Sequence, residues 1–384
     1  MFREIKEIIE HLNFAKKSFT KGGFRHVVNY ISGLIVAVKK TVRKISKECL
    51  NEKHSSTLNR ILTDTKIEKE KLEQKYLKKI KYIFKNYDVF LLIDDTLVER
   101  NGKHIEEAQK HYDHSKKTYI NGHQFVTAML YTPFLQLPLF PELYSRNTGS
   151  KIEMAKEIIN KLKKEKVKIK TVLFDSWYSD QKLINLCIKA DMQVICRIKA
   201  NRSVRKFKKH RYQKLSFFTK KVNFEKNKYV KIKEKSYCIW TEIVHLKKLP
   251  SMRLVISHKF TDGQVEDQSA YFISSNLEYK PEEIIAIYQI RWNIETYHRD
   301  IKQNLGFDKA FFRKKEGIVR HAIFVSIAYA ILNLSMYYNK DVKRTTGEFC
   351  EYLRNKWYRD AVEEIIRIEN PDKRLQKFEE VFIN

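Results

Sequence analysis

Hydrophobic and polar positions follow two different periods along this chain. Over residues 1–86 apolar residues recur at helical spacing, and Ser55-Ser56-Thr57 lies where a helix N-cap is expected, so we predict a helical region. At Asp88 the pattern changes: residues 89–93 form a continuous apolar run that is typical of a strand buried on both faces, ending at Asp94.

Residues 87–200 predict a mixed α/β sheet. After the first strand, the predicted strands lie at 124–132, 135–144, 171–174 and 193–198, and the predicted helices lie at 151–166 and 180–190. The succession of three strands, helix, strand, helix and strand makes helices available for both faces of the sheet.

Residues 201–276 differ in character because lysine-rich turns separate short β-like runs at 229–232, 237–240, 253–256 and 271–273. This pattern indicates an inserted, basic, mostly antiparallel region. Its cations cluster early in the region, at Lys206, Lys208, Lys209, His210, Arg211, Lys214, Lys220 and Lys221. Residues 277–338 predict a helix over 281–305 and a long apolar helix over 319–338, and residues 339–384 predict charged helices.

The predicted helix at 281–305 has start and stop signals, with Pro281 and two glutamates in its first turn and Gly306 after its end. At about 100° per residue its apolar residues fill one arc, and four polar residues share another arc of roughly 60°. Those four residues are Tyr288, Arg291, Glu295 and Lys302. Alone, such a row indicates a surface ion pair.

Composition adds a partner to this picture. The chain has 384 residues, 43% of them hydrophobic and 12% aromatic, which is typical of a folded protein with two or three domains. Its 76 basic and 46 acidic residues give a formal charge of +30. This excess runs through every region and favours a polyanionic partner, although an AT-rich genome would also enrich lysine.

Several classes are disfavoured. The five cysteines (Cys49, Cys187, Cys196, Cys238 and Cys350) are scattered and form no C-x-x-C pair, which argues for a reducing cytoplasm and against zinc. We expect no membrane span, because no apolar run approaches the roughly 18 residues required. The amphipathic N-terminus has mixed charge and does not resemble a secretion signal.

Three carboxylates have a context suited to metal chemistry. Asp94 and Asp175 each follow a predicted strand, and Glu295 lies on a helix expected to pack against the same sheet. Ligands bind in the crevice outside strand ends of open α/β sheets, and carboxylates are ligands that Mg²⁺ or Mn²⁺ prefers. Two such ions about 4 Å apart can activate water and stabilise a leaving oxygen at a phosphodiester. Taken alone, each aspartate is more often a turn cap.

Together these segments resemble the signature segments of DDE transposases of bacterial insertion sequences. The segments are Ile93-Asp94-Asp95-Thr96, Phe174-Asp175-Ser176-Trp177-Tyr178, and Tyr288-x2-Arg291-x3-Glu295-x6-Lys302. The third agrees at every spacing with the cut-and-paste branch that has a Tyr-Arg-Glu-Lys signature and a β-rich insertion. The resemblance covers about residues 55–335.

The resemblance implies a ribonuclease H-like mixed-sheet catalytic core with a β-rich insertion, flanked by helical N- and C-terminal regions. The changes of pattern, read with this resemblance, divide the chain into a DNA-binding region (1–86), a first core part (87–200), the insertion (201–276), a second core part (277–338) and a C-terminal region suited to dimerisation (339–384). The resemblance implies that Asp94, Asp175 and Glu295 hold two Mg²⁺ ions, with Mn²⁺ as a substitute.

The resemblance also implies a reaction: nicking at a transposon end frees a 3′-hydroxyl, which forms a hairpin that is reopened before strand transfer. Tyr288, Arg291 and Lys302 would contact double-stranded DNA, with Arg299 as a further contact. Trp240 or Trp292 would stack on a flipped base, and no spacing decides between them. The partners implied are transposon ends, target DNA and a second copy in the synaptic complex, in a cytoplasmic, nucleoid-associated protein.

Some alternatives stay open. Successive strand residues point to opposite faces, so only one of Asp94 and Asp95 can face the site, and the Asp-x-Thr pattern favours Asp94. His111 and His114 suggest a metal cluster, but a solvated turn or DNA contact is favoured there. A nuclease without strand transfer would have the same metal site. The presence of all three acids disfavours an inactive DNA-binding protein. An RNA-binding or membrane-surface protein has no support other than the charge.

Overall fold

The apolar run at residues 89–93 begins strand β1 (Phe90–Glu99), the strand on which the site is built. The computed structural model of the protein describes residues 6–48, 55–65, 67–113, 116–147, 149–220, 222, 228–261, 264–309, 311–341, 343–379 and 382. Cys49, His114 and Lys221 lie outside these residues. The strand does not end at Asp94 as predicted, because the β-prone residues Thr96, Leu97 and Val98 continue it.

The other strands cover the positions at which the sequence predicts strands. They are β2 (Gln109–Asp113), β3 (Thr118–Tyr131), β4 (Gln136–Pro138), β5 (Glu142–Tyr144), β6 (Thr171–Phe174), β7 (Gln193–Arg197), β8 (Ser203–Arg205), β9 (Gln213–Lys214), β10 (Lys228–Ile232), β11 (Lys235–Leu246), β12 (Ser251–Thr261) and β13 (Gln264–Ser274). The single strand predicted at 135–144 is two short strands, β4 and β5, because Pro138 and Pro141 interrupt the ladder.

The helices follow the predicted periodicity with a few breaks. They are α1 (Lys6–Leu12), α2 (Lys21–Val36), α3 (Val42–Glu48), α4 (Ser55–Thr63), α5 (Lys69–Phe84), α6 (Lys151–Lys164), α7 (Gln181–Lys189), α8 (Leu215–Lys220), α9 (Pro281–Gln289), α10 (Trp292–Asn304), α11 (Lys315–Tyr338), α12 (Thr346–Ile366) and α13 (Pro371–Phe378). Short 3₁₀ turns lie at Asn13–Ser18 and Phe307–Lys309.

Two packed units form from these elements. Unit 1 comprises Met1–Asn86, Asp95–Gly149 and Thr296–Asn384, and unit 2 comprises Tyr87–Asp94 and Ser150–Glu295. The two boundaries nearest the predicted site fall directly after Asp94 and directly after Glu295, so both carboxylates belong to unit 2, as does Asp175.

Unit 2 is a mixed sheet with four helices. The beginning of β1 pairs in parallel with β6, and β6 pairs in parallel with β7. The next strands, β13, β12, β11, β8 and β9, are antiparallel, and β10 also pairs with β11. The four β-like runs expected within 201–276 are therefore strands, longer than predicted, and the structure adds β8, β9 and α8.

Capping side chains begin helices α6 and α7 of unit 2. Ser150 accepts a hydrogen bond from the Glu153 amide at 3.2 Å, at the start of α6. Asp180 accepts from the Lys182 amide at 2.8 Å, at the start of α7. Both caps satisfy amides that a first helical turn leaves free, which explains why these helices begin where the sequence indicates.

Unit 1 packs its helices around α11, whose residues are buried on nearly all sides. A helix that is apolar all round is typical of a protein core or a membrane span. By length and composition α11 is long and apolar enough to cross a membrane, although most of that stretch is buried within the unit. The expectation that no such run exists was wrong, because Ser326 and Asn333 interrupt the run without lowering its average hydropathy enough to exclude it.

The α4 helix shows its apolar side to this core. Leu58, Ile61 and Leu62 are buried, and Arg320 of α11 donates to the Leu62 carbonyl at 3.0 Å. Asn59 and Arg60 are exposed. The helix is thus part of a bundle, and only this exposed side is open to the DNA contact predicted for residues 1–86.

His111, the first of the two histidines considered as a metal cluster, does not lie in a solvated turn. His111 belongs to strand β2, is buried, and pairs in register with Ile120 of β3. Its ring lies 6.1 Å from that of Tyr144. The polar sequence concealed this strand because only one face of it is buried.

Candidate active site

Parallel pairing between β1 and β6 brings two of the predicted carboxylates side by side. The register pairs Ile93 with Phe174, and the next residue along each strand is Asp94 and Asp175, respectively. Neighbouring strands lie about 4.8 Å apart, so the two residues meet where β6 ends and the chain turns away. The buried apolar runs before them fix this register.

Arg291 joins Asp94 to Glu295. Its Nη1 donates to Oδ2 of Asp94 at 2.9 Å, and its Nη2 donates to Oε1 of Glu295. The Arg291 side chain is 13% exposed and the Asp94 side chain 18%. Two carboxylates from distant parts of the sequence therefore converge on one guanidinium.

The charge of Arg291 is strongly favoured here. Burial acts to lower the pKa of this guanidinium, but Tyr288, Asp94 and Glu295 outweigh burial and raise the pKa above its ordinary value. The Nε atom of Arg291 is buried and has no hydrogen-bond partner within the described residues. The side chain is therefore a fixed cation between two acids.

A break between α9 and α10 places Arg291. One continuous helix was predicted over 281–305, but residues 290 and 291 form a tight turn in which the Ile290 and Arg291 amides bond to carbonyls three residues back, each at 3.0 Å. The Asn293 side chain also donates to the Ile290 carbonyl at 2.7 Å. Asparagine commonly competes for backbone groups in this way, and no proline or glycine marks the break.

This break separates the row of four polar residues. Tyr288 ends up on α9 with only 9% of its surface exposed, and its ring lies 4.9 Å from that of Phe272. Burial raises the pKa of Tyr288. Trp292, four residues later, begins α10 and is 65% exposed. The uniform arc assumed for a single helix therefore does not hold across residues 290 and 291.

Asp175 uses one oxygen to hold its own turn. Its Oδ1 accepts from the Trp177 amide at 2.9 Å and from the Tyr178 amide at 3.3 Å. This arrangement is an Asx-type turn, which aims the carboxylate back over the strand end. Trp177 is 44% exposed, and the ammonium of Lys151 lies 4.0 Å from its ring centroid.

Asp95 has a different partner, as the alternation along a strand requires. It accepts a hydrogen bond from the Gln124 amide nitrogen of β3, and both residues belong to unit 1. Asp94 instead contacts Arg291 in unit 2. The two neighbouring aspartates thus serve different sets of residues.

Within the described part of the chain no group of three or more His, Cys, Asp or Glu side chains is arranged to hold a metal ion. The donor chemistry nevertheless fits a hard divalent cation, because the acids offer only carboxylate oxygens and two of them already balance a positive charge. Arg291 supplies that charge in this structure. Asp94, Asp175 and Glu295 are the residues that would hold an ion.

A cavity of about 660 Å³ lies beside Arg291 in unit 2. Tyr237, Phe272, Tyr288 and Trp292 contribute aromatic surface to its lining. The basic residues of the lining are Arg197, Lys233, Lys235, Lys259 and Arg291. Sequence reasoning missed Arg197 and Tyr237; the position of Arg197 at the end of a parallel strand, like that of Asp175, was the available signal.

Trp240 lies elsewhere in unit 2. Its ring is 5.2 Å from that of Phe218, and it lines a separate cavity of about 310 Å³. The two tryptophans considered for base stacking thus belong to different cavities, and only Trp292 shares one with Tyr288 and Arg291.

Lys302 and Arg299 lie on the part of α10 that belongs to unit 1. The Lys302 ammonium donates to the Leu97 carbonyl at 3.0 Å. Burial lowers its pKa, and Asp308 and Asp113 partly oppose this shift. The Arg299 side chain is 60% exposed, with its Nε 3.6 Å from Asp300, so its guanidinium is open to solvent.

Comparison with known families gives the chain its class. The model described as "Transposase DDE domain" matches residues 86–331, which contain all three acids, and the model described as "DDE superfamily endonuclease" matches residues 16–148. No individually curated protein matches the chain. Because the first match covers well over half of the sequence, the chain belongs to the family of transposases with a DDE domain.

Proposed function

We propose that the protein is a Mg²⁺-dependent transposase of a bacterial insertion sequence, of the branch with the Tyr-Arg-Glu-Lys signature, acting on double-stranded DNA in the cytoplasm. It binds terminal inverted repeats, cleaves the DNA by way of hairpin ends, and joins the element to target DNA. The observation that carries this proposal is the convergence of Asp94 and Glu295 on Arg291, beside the strand end that bears Asp175.

The proposed core is ribonuclease H-like, with β1, β6 and β7 as the parallel strands that carry the aspartates. We propose residues 201–276 as the insertion, 1–86 as a DNA-binding region and 339–384 as a dimerisation region. The parallel pairing, the antiparallel strands that follow it and the position of Glu295 after them support this division.

Asp94, Asp175 and Glu295 would hold the metal ions. When bound, divalent ions supply an activated water and stabilise the leaving oxygen of the phosphodiester. The chain itself contributes position and charge: the paired strands hold the aspartates in register, and the turn at residues 290 and 291 presents Arg291 between the acids. In this proposal Arg291 moves to a DNA phosphate when DNA and metal ions arrive.

The other contacts divide by exposure. Trp292, largely exposed and bordering the cavity beside Arg291, is the better candidate for stacking on a flipped base. Tyr288 is buried against Phe272 and supports the cavity wall. Arg299 and Lys302 are proposed to neutralise phosphates, and Lys302 would first have to leave the Leu97 carbonyl.

The test is cleavage of DNA that carries the inverted repeats flanking the gene, in Mg²⁺ or Mn²⁺. Wild-type protein should yield hairpin ends on a denaturing gel. Glu295→Gln and Asp94→Asn should each reduce cleavage by at least about 1,000-fold while keeping DNA binding, because an amide cannot replace a metal-binding carboxylate.

Asp95→Asn is the matched control, since it makes the same chemical change one residue further along β1. Its cleavage rate should stay close to that of wild type. Equal losses in the two asparagine variants, or wild-type cleavage by Glu295→Gln, would contradict the assignment of the acids.

A nuclease that cuts without joining remains the second candidate, because the same acids would serve it. Pre-cut ends with free 3′-hydroxyls, offered together with a target plasmid, separate the two. Joined products indicate a transposase, and cutting without any joining indicates a nuclease.

A further inference from the structure

A hairpin at the edge of the unit 2 sheet carries a dense group of cations. We call residues 203–214, which form β8, the loop 206–212 and β9, the basic hairpin. Its strands pair Ser203 with Lys214 and Val204 with Gln213. Strand β8 joins the sheet through β11, and β9 is the last strand in the order. None of the predicted site residues lies on this hairpin.

The loop of the basic hairpin is exposed throughout. Five of its seven residues are Lys, Arg or His, and the other two, Phe207 and Tyr212, are 50% and 40% exposed. Lys206 pairs with Glu242 at 2.5 Å. The other cations of the loop make no ion pair with any described residue; they are Lys208, Lys209, His210 and Arg211. Apart from Lys206, the loop thus has no acidic partner in the part of the chain that the structure describes.

Behind the loop lies the cavity of about 310 Å³ that Trp240 lines. Arg205, Lys206, His210 and Arg211 line it too, and no lining residue is acidic. The guanidinium of Arg205 lies 4.6 Å from the Tyr212 ring centroid, and its Nε is buried with no hydrogen-bond partner among the described residues. This donor is available to an acceptor that enters the cavity.

The chemistry of this surface selects the ligand. Clustered guanidinium and ammonium groups bind phosphate oxygens, and exposed aromatic rings lie well against sugars and bases. An isolated anion would need only one or two cations. A loop with cations along its whole length instead suits a polymer of phosphates.

The basic hairpin begins near the strand end that bears Asp175. Arg202, the residue before β8, donates through Nη2 to the Ser179 carbonyl at 2.5 Å, and Ser179 is four residues after Asp175. Ser203 of β8 and Ser176 line the same cavity. The loop of the basic hairpin therefore lies within about one helical turn of DNA, roughly 34 Å, of Asp175.

We propose that the basic hairpin is a second DNA-backbone site, gripping phosphates of the duplex within about one helical turn, roughly 10 base pairs, of the phosphodiester that is cut. The site takes double-stranded DNA through its phosphates and reads no base sequence. It rests on the proposed function, because the distance is counted from the proposed catalytic acids.

The test uses the full-length protein with Lys208, Lys209 and Arg211 all changed to alanine. These side chains are exposed and make no ion pair with another described residue, so the variant should fold normally. The matched control changes Lys163, Lys164 and Lys168 to alanine, three exposed lysines of unit 2 in and after α6, with the same loss of charge. Both variants are compared with wild type on terminal-repeat DNA.

The first measurement is the slope of log Kd against log salt concentration. Each lost phosphate contact should reduce that slope by about 1, so the hairpin variant should lose roughly 2–3 and bind at least about 10-fold more weakly at low salt. The control should change the slope by less than about 1. Equal slopes in the two variants would overturn the proposal.

The second measurement is phosphate-ethylation interference. Wild type and control should show interference at phosphates within about 10 base pairs of the cut, and the hairpin variant should lose interference at roughly two or three of them. If wild type cuts the repeat DNA yet shows no interference there, this proposal fails and the proposed function stands. If wild type neither binds nor cuts the repeat DNA, the proposed function itself fails.

Discussion

At the scale of single residues, Arg291 decides how the acidic site is held. Its guanidinium bonds to Asp94 and Glu295, which would otherwise repel each other at a partly buried position. An internal cation of this kind stabilises the site in the free protein. In the function we propose, the same side chain competes with the metal ions.

Arg291→Met should make both effects visible. Without metal the variant should be less stable by on the order of 2 kcal/mol, because two charged hydrogen bonds are lost and the acids are left facing each other. Mn²⁺ or Mg²⁺ should then raise the melting temperature of the variant more than that of wild type, since only the folded form binds the ion.

Differential scanning fluorimetry across a metal titration measures this, with Arg299→Met as the control for loss of an exposed arginine. Identical metal-induced shifts in wild type and Arg291→Met would show that the guanidinium does not occupy the place of an ion.

At the scale of elements, the sequence predicts most helices and strands but not the breaks within them. The parallel strands β6 and β7 and the capped helices α6 and α7 were predicted to within two residues at each end, because buried apolar runs and capping side chains are local signals. The turn between α9 and α10 was not, because it depends on Asn293 and on where Arg291 finds its partners.

A prediction at the scale of elements concerns His321, which lies where α2, α11 and the turn after α10 meet. His321 of α11 is fully buried, accepting from the Tyr30 hydroxyl at 2.8 Å through Nδ1 and bonding the Gly306 carbonyl at 3.0 Å through Nε2. Gly306 has a φ of +70° and lies close to Lys40. Burial lowers the pKa of His321 to about 4.

Protonation of His321 therefore favours the unfolded chain, in which its pKa is near 6.5. Above about pH 6.5 this group has no effect on the pH dependence of stability. As pH falls from 6.5 to 4, the free energy of unfolding should drop by up to about 1.4 kcal/mol per pH unit. His321→Gln, which cannot be protonated, should show a smaller drop in urea denaturation over this range, and parallel curves would contradict the buried neutral histidine.

At the scale of the whole molecule, the charge of +30 is the dominant property. Exposed cations occur in both units, so DNA binding should be governed by release of counterions from phosphates. The apolar helix α11, the one described element long enough for a membrane, is instead mostly buried within unit 1. The charge is suited to the nucleic-acid substrate of a transposase.

Wild-type affinity for repeat DNA should fall roughly 1,000-fold or more between 50 and 200 mM salt, as expected for six or more phosphate contacts. Fluorescence anisotropy at several salt concentrations measures this, with an unrelated duplex of equal length as the control for specificity. An affinity that does not change with salt would exclude a phosphate-dominated interface.

The sequence by itself determined the family and most helices and strands, because these depend on local patterns: apolar runs, capping residues and the spacing from Tyr288 to Lys302. The assignment of the three acids rests on the same patterns and stays a prediction. The sequence did not predict that Asp94 and Asp95 have different partners, or that Tyr288 is buried and Trp292 exposed. It also did not predict that Trp240 and Trp292 line different cavities. Those outcomes depend on contacts between residues far apart in the chain, such as Asp94 and Arg291, which are 197 positions apart. Only the folded chain brings these residues within bonding distance, so only the tertiary structure could decide them.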